Sequence, residues 1–187
     1  MAVTGLTSLR EELQSTSVDA IFVRGEADRL LGRPKVEEDL EKIVRSERGD
    51  HRLRVLAHEL QLMRGKPRDP RIVRIYCEAI SGAFMHNWWG LPGHVVGKFG
   101  ETLVAFGEAA LPHLVKEMDD PTPLTYIGPD APKNREYRYC VGDLATYLAC
   151  TIMNRPYPDA PTPEGREGPR LSLMRELHDM LTNEKRK

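Results

Sequence analysis

Six histidines, three cysteines and a few clustered aromatic and acidic residues carry whatever chemistry this chain can do. His51 and His58 are seven residues apart, and His86 and His94 flank the pair Trp88-Trp89. A zinc site needs three or four converging ligands. The chain has no Cys-x-x-Cys, and His58-Glu59-Leu60-Gln61-Leu62 lacks the second histidine of a metalloprotease helix. No metal and no other cofactor is therefore expected, and the histidines read as surface or capping groups. A cysteine nucleophile needs a histidine partner and a depressed pKa. Cys77 and Cys150 fall beside core positions of predicted helices, so inert packing is the expectation. Cys140 and Cys150 stand ten residues apart on one predicted helix. Helical rise puts them ~15 Å apart, and a disulfide needs Cα atoms within about 7 Å. Three free thiols follow. There is no Walker loop and no Gly-x-Ser-x-Gly. Gly90-Leu91-Pro92-Gly93 reads as a turn at a helix start, and Asp119-Asp120 as a helix end.

The aromatic pair is a stronger signal. Met85-His86-Asn87-Trp88-Trp89-Gly90-Leu91-Pro92-Gly93 has no period and reads as a loop. Adjacent tryptophans are costly to leave bare, since each buries ~150–250 Å² when covered. One can fill the core while the other faces out as an anchor for a partner protein or ligand. In the alternative reading both pack beneath a long insert and hold it in place.

The elements that must position these residues are helical. Leu9, Leu13, Ile21, Leu30 and Leu31 suggest one broken or two short helices over residues 7–31. Pro34 opens the next helix, where its missing N–H costs nothing, and Val36, Leu40, Ile43 and Val44 follow helical spacing. Asp50 caps a helix carrying Leu53, Leu56, Ala57, Leu60 and Met63, with Gly65 as a left-handed stop. Asp69-Pro70 starts another, with Ile72, Val73, Tyr76, Ala79, Ile80 and Ala83 on one face. Helices are also expected over 93–106, 108–118 and 136–153. Residues 119–135 are interrupted by prolines and read as a long loop, of the kind that is more often functional than its neighbours. Residues 155–169 read as a proline-rich linker before a terminal helix on Leu171, Met174, Leu177 and Leu181. No stretch alternates with period two, so the chain is read as all-α.

The helices fall into antiparallel pairs, 34–47 with 50–65, 69–84 with 93–106, and 108–118 with 136–153, a spacing within the range of helical-repeat arrays. Pro112 lies early in one helix, Leu111, Leu114 and Val115 form its apolar face, and Asp119-Asp120 end it. Arg138, Val141 and Asp143 open the partner helix. On these residues, 107–153 resembles a HEAT-like repeat (the phycobilisome-lyase HEAT-like type), with weaker similarity back to about residue 34. The resemblance implies a short α-solenoid of stacked helix pairs over 34–154, an N-terminal helical cap over 1–33, and a linker with a C-terminal helix over 155–187. In such a solenoid the intrarepeat loops lie along one edge. The loops 85–92 and 119–135 are then neighbours, and together they offer His86, Asn87, Trp88, Trp89, Tyr126, Asp130, Arg135 and Tyr137.

Charge narrows the partners. The formal net charge is -1, so no global field draws in nucleic acid or anionic lipid. Basic and acidic residues interleave over 34–66, as on solvated helix faces. No apolar run approaches the ~18 residues of a membrane span. The start Met1-Ala2-Val3-Thr4-Gly5-Leu6 lacks the pattern of a signal peptide, and a cytoplasmic location is expected. The expected role is a non-enzymatic scaffold or adaptor that binds another protein through its loop edge and helical groove. Trp88, Trp89 and Tyr126 would be the apolar anchors, and Asp130 and Arg135 the polar rim. An enzyme on a HEAT-like scaffold is the alternative, since bilin lyases and alkylpurine DNA glycosylases resemble this architecture. A glycosylase would want a basic concave face, which the charge balance does not supply. An adaptor that assembles into a homo-oligomer is a third reading.

Overall fold

Serine caps start the chain's first helices. Ser8 accepts from the Glu11 amide while Glu11 accepts from the Ser8 amide, a reciprocal box that fixes the start of α1 (Leu9–Ser15). Ser17 does the same work alone for α2 (Val18–Phe22). Gly25, at φ +82, turns the chain into α3 (Glu26–Leu31). The computed structural model describes residues 8–46 and 50–184. Three short helices thus stand where one broken or two short helices were expected, because each break carries its own cap or glycine. They precede α4 (Val36–Arg45) and α5 (His51–Met63), which pack on each other and on α1 through Leu9, Leu13, Leu40, Val44, Leu53, Leu56 and Leu60. Asp50 caps α5 by accepting from the Arg52 amide at 2.8 Å, and Gly65 stops the chain at φ +75. His58, expected at the surface, is fully buried on α5.

The chain divides into two compact units, Met1–Arg68 and Asp69–Lys187. The expected boundaries after 33 and 154 fall inside these units. Helix α1 belongs with α4 and α5, and the C-terminal helix belongs with the second unit's core.

In the second unit Asp69 caps a 3-10 turn (Pro70–Ile72) that runs into α6 (Val73–Ser81). Leu91-Pro92-Gly93-His94 then makes a type II turn, with Gly93 at φ +74 and the His94 amide donating to the Leu91 carbonyl at 3.0 Å. It closes a short hairpin of β1 (Gly90–Leu91) and β2 (Val95–Val96). The expected helix over 93–106 is thereby shortened to α7 (Lys98–Val104). After a 3-10 turn (Gly107–Ala110) comes α8 (Leu111–Glu117), with Pro112 in its first turn and Leu111, Leu114 and Val115 buried. The long loop over 119–135 holds only as far as Pro129, because α9 (Asp130–Tyr137) forms inside it without burying a residue. Arg138, at φ +54, ends α9 and prevents the continuous helix expected over 136–153. Helix α10 (Val141–Ile152) is buried nearly all round and packs against α6, α7 and α8, as a helix that is apolar on every face must.

The last helix, α11 (Pro163–Glu184), begins where a linker was expected and packs on α8 and α10. Pro169 lies inside it. An interior proline costs about 3 kcal/mol, offset here by one face that carries Arg166, Arg170, Leu173 and Leu177 at helical spacing. The chain is all-α in class, 65% helical with eleven α-helices among the described residues. No helix among these residues is long and apolar enough to cross a membrane.

Candidate functional site

The two inserts that interrupt the helices meet, and hydrogen bonds to an extended ribbon join them. Residues 122–127 run extended, with Leu124 and Tyr126 buried and Thr125 and Ile127 exposed. One side of this ribbon pairs with the entry to α10, through Leu124 N–H to the Tyr139 carbonyl at 3.0 Å and Val141 N–H to the Thr122 carbonyl at 2.9 Å. On the other side, side chains take the place of a neighbouring strand. The Asn87 amide accepts from Ile127 N–H at 3.0 Å and donates to the Ile127 carbonyl at 3.0 Å, and it also donates to Asp130 at 2.7 Å. On the α10 side, Asn134 reaches back from α9 and donates to the Leu124 carbonyl at 2.8 Å.

His86 anchors the same side as Asn87. Its backbone N–H donates to the Thr125 carbonyl at 2.8 Å, and its Nδ1 accepts from Thr125 N–H at 2.9 Å. Its Nε2 lies 3.1 Å from the Ile80 carbonyl at the end of α6. Nδ1 also lies 3.3 Å from the Thr125 carbonyl; with the Thr125 amide donating to Nδ1 and the Ile80 carbonyl accepting at Nε2, the neutral ring carries its hydrogen on Nε2. Burial holds its pKa below the ordinary histidine value, against the pull of its two backbone partners.

The expected anchors divide. Trp89 is 3% exposed, edge-on to Tyr76 and Phe99 at 6.0 and 5.5 Å between ring centroids. Its carbonyl lies 2.1 Å from where a Cβ on Gly100 would stand, so only glycine fits there. Tyr126 is buried too and donates to the Gly90 carbonyl at 2.6 Å, with burial pushing its phenol pKa well up. Both are supports of the edge and not its surface, which corrects their placement as exposed anchors. Trp88 is half-buried and stacks on Phe99 at 5.7 Å. Arg135 is exposed on α9, and Tyr137 carries the Lys133 ammonium over its ring at 3.7 Å. Of the six large apolar side chains left exposed among the described residues, Phe84, at 92%, and Ile127, at 55%, flank this edge. They sit just before His86 and just after Tyr126; Phe84, expected as the last residue of the 69–84 helix, is left bare because α6 stops at Ser81.

A second cluster went unread in the sequence. Asp143, in the first turn of α10, accepts from the Cys140 amide at 3.0 Å, from Arg166 at 3.1 Å and from Arg170 at 3.2 Å. Arg166 is 1% exposed and also donates to the carbonyls of Ala160 and Tyr137, at 2.6 and 2.9 Å. It lies over the Tyr139 ring, whose hydroxyl donates to Asp159 at 2.8 Å. A buried arginine inside a proline-rich stretch was the missed signal. Its spacing to Arg170, Leu173 and Leu177 could have revealed it.

Nucleophilic chemistry finds little support. Burial is the leading cause that raises the pKa of Cys77, Cys140 and Cys150, and a raised thiol is not a poised thiolate. All three are free cysteines. Among the described residues no group of three or more His, Cys, Asp or Glu could hold a metal ion. What the clamped edge can do is present a fixed shape. No family model matches the chain, and neither curated proteins nor solved structures yield a match.

Proposed function

We propose that this chain is a non-enzymatic helical adaptor that docks a partner protein along the edge formed by residues 84–92 and 122–137. Phe84 and Ile127 are its apolar anchors, Trp88 adds a partly covered aromatic face, and Arg135 and Asp130 form the rim. The observation that carries this reading is Phe84, a large apolar side chain left almost wholly in water beside a backbone pinned by His86 and Asn87. Covering a phenylalanine is worth about 1.5–3 kcal/mol. Presenting it on a fixed frame avoids part of the ordering cost of binding. Hot spots of this kind are central apolar anchors with a polar surround.

The HEAT-like architecture belongs to the same proposal. Support comes from the buried face of α8, from Pro112 in its first turn, and from the packing of α8 on α10. Comparing captured proteins between wild type and a Phe84→Ala, Ile127→Ser double variant, with reciprocal capture of any candidate, tests the reading. One partner should be lost from the variant while its thermal transition stays in place. Identical capture by both chains overturns the proposal. Light scattering on the purified protein separates a second copy of the chain from a different partner at this edge.

A further inference from the structure

Ser81, the last residue of α6, donates to Glu117, the last residue of α8, at 2.6 Å. Two helix C-termini therefore meet at one point, and the C-terminal end of a helix favours cations. The sequence supplies carboxylates there instead. Asp119 and Asp120 come next after Met118, and Glu78 lies one turn before Ser81 on α6, 3.6 Å from Arg74. No basic residue stands in the last turn of α6, and Lys116 alone stands in that of α8.

Glu117 and Asp120 are half-buried and poorly compensated. Burial, above all, raises the Glu117 pKa, and Asp120 and Glu78 raise it further against the Ser81 hydroxyl. Lys116 counts for less than either of those carboxylates. Burial also acts to raise the Asp120 pKa, but bonds from Thr122 and Ser81 outweigh it, so this group stays a carboxylate. Phe84, 92% exposed, follows Ser81 by three residues, so its Cα lies within about 11 Å of the Ser81 Cα. A bare aromatic ring and an under-compensated acidic patch thus fall within reach of one short segment.

We propose that the partner segment covering Phe84 is basic, with a Lys or Arg side chain set against Glu117 and Asp120 and an apolar neighbour in the same segment packed on the Phe84 ring. What docks here matters only if the edge docks a partner, so the assignment rests on the binding reading above. Charge complementarity selects the occupant: a nucleic acid or an acidic segment would meet like charge beside the anchor. The α9 end of the edge is mixed, with Asp130 and Glu136 beside Lys133 and Arg135. The demand for a cation is therefore confined to the Phe84 end, which fixes the direction in which a segment lies along the edge.

Random-peptide display on the full chain, counter-selected on Phe84→Ser, tests it. Peptides kept by wild type and lost by Phe84→Ser should carry Lys or Arg within about four positions of a large apolar residue. In fluorescence anisotropy these peptides should bind a Glu117→Gln, Asp120→Asn double variant about tenfold more weakly than wild type, with the gap closing as salt rises. Both substitutions keep an acceptor for Ser81 and for Thr122. Should the double variant fail to fold, replacing the peptide's Lys and Arg by Gln reads the same contact on the unaltered protein. Peptides that need Phe84 but are neutral or acidic, or that bind the double variant as tightly as wild type, overturn the basic partner and leave the edge standing. If no selected peptide depends on Phe84, the edge itself falls and the basic partner with it. A wild-type dimer in light scattering that Phe84→Ser turns into a monomer seats a second copy of the chain there and overturns the basic segment.

Discussion

His86 and Asp143 both sit out of water in the second unit, and each ties an irregular segment to the helical core. At His86 the partners are backbone groups, Ile80 and Thr125, and the ring itself is neutral. At Asp143 the partners are two guanidiniums and an amide, and two of the three charges are almost wholly buried. The difference lies in what each cluster leaves behind when it opens. A neutral clamp releases polar groups that water can satisfy as the edge parts. An ionic hub that loses its carboxylate strands the Arg166 guanidinium in the protein interior beside the partly exposed Arg170, a costly state. The two joints therefore differ in what their opening would cost, and only the first lies on the edge we assign to binding.

Removing the hub's carboxylate should give the largest effect. Asp143→Ala leaves Arg166 and Arg170 facing each other and strips the cap from the Cys140 amide. A loss of about 3–5 kcal/mol in urea unfolding is expected. A loss below about 1 kcal/mol would show that both arginines swing into water, and the contrast with His86 would fail. Asp143→Leu combined with Arg166→Met sharpens the point. If the hub's cost is stranded charge, this pair loses less than the sum of its single changes.

At the edge the same experiment should read smaller. Asn87→Ala removes both bonds to Ile127 and the one to Asp130. Solvent reaches these groups, so only the net value of hydrogen bonding is lost, about 1 kcal/mol. The amide of Ile127 should lose its protection in hydrogen exchange while the α10 amides keep theirs. A change as large as that of Asp143→Ala would mean that the edge is part of the core.

The pH response distinguishes the two joints further. Burial holds the folded His86 pKa below the ordinary value of 6.5, so the unfolded chain binds its proton first as pH falls. Stability from this group is complete above about pH 6.5 and is lost as pH falls through the folded value. Urea midpoints taken from pH 8 to 5 should decline more steeply in wild type than in His86→Gln. Matching slopes would assign the acid response to other groups.

Much of the helical frame was legible in the sequence because it rests on local signals. The stripes of α4, α5, α6 and α8 were read from spacing alone, and Asp50, Gly65 and Asp69 from cap chemistry. The contact between the two inserts was expected from pairing register, and hydrogen bonds from His86, Asn87 and Tyr126 now join them. What stayed illegible depends on tertiary partners. Trp88 and Trp89 are chemically alike and both meet Phe99; Trp89 is the buried one, edge-on to Tyr76 as well. The terminal helix was read from Leu171, Met174, Leu177 and Leu181, but its first turns from Pro163 hid behind prolines, because the inward face opens with two arginines whose partner, Asp143, lies 23 residues back from the first of them. Arg138, whose left-handed conformation separates α9 from α10, carries no glycine to announce it.

The smallest effect on stability should come from Phe84, and it bears on the clamp's purpose. At 92% exposure it has almost no contact to lose, so Phe84→Ser should unfold within about 0.5 kcal/mol of wild type. Partner binding should nevertheless weaken by at least tenfold, since an anchor counts only where a second surface covers it. That combination, a neutral change in urea and a large one in binding, is the signature of a residue held out by the clamp for something else to use. A destabilisation of about 2 kcal/mol or more would mean that Phe84 folds back onto its own domain in solution. The His86 clamp would then close an internal joint like the one at Asp143, and the edge would have no bare anchor to offer.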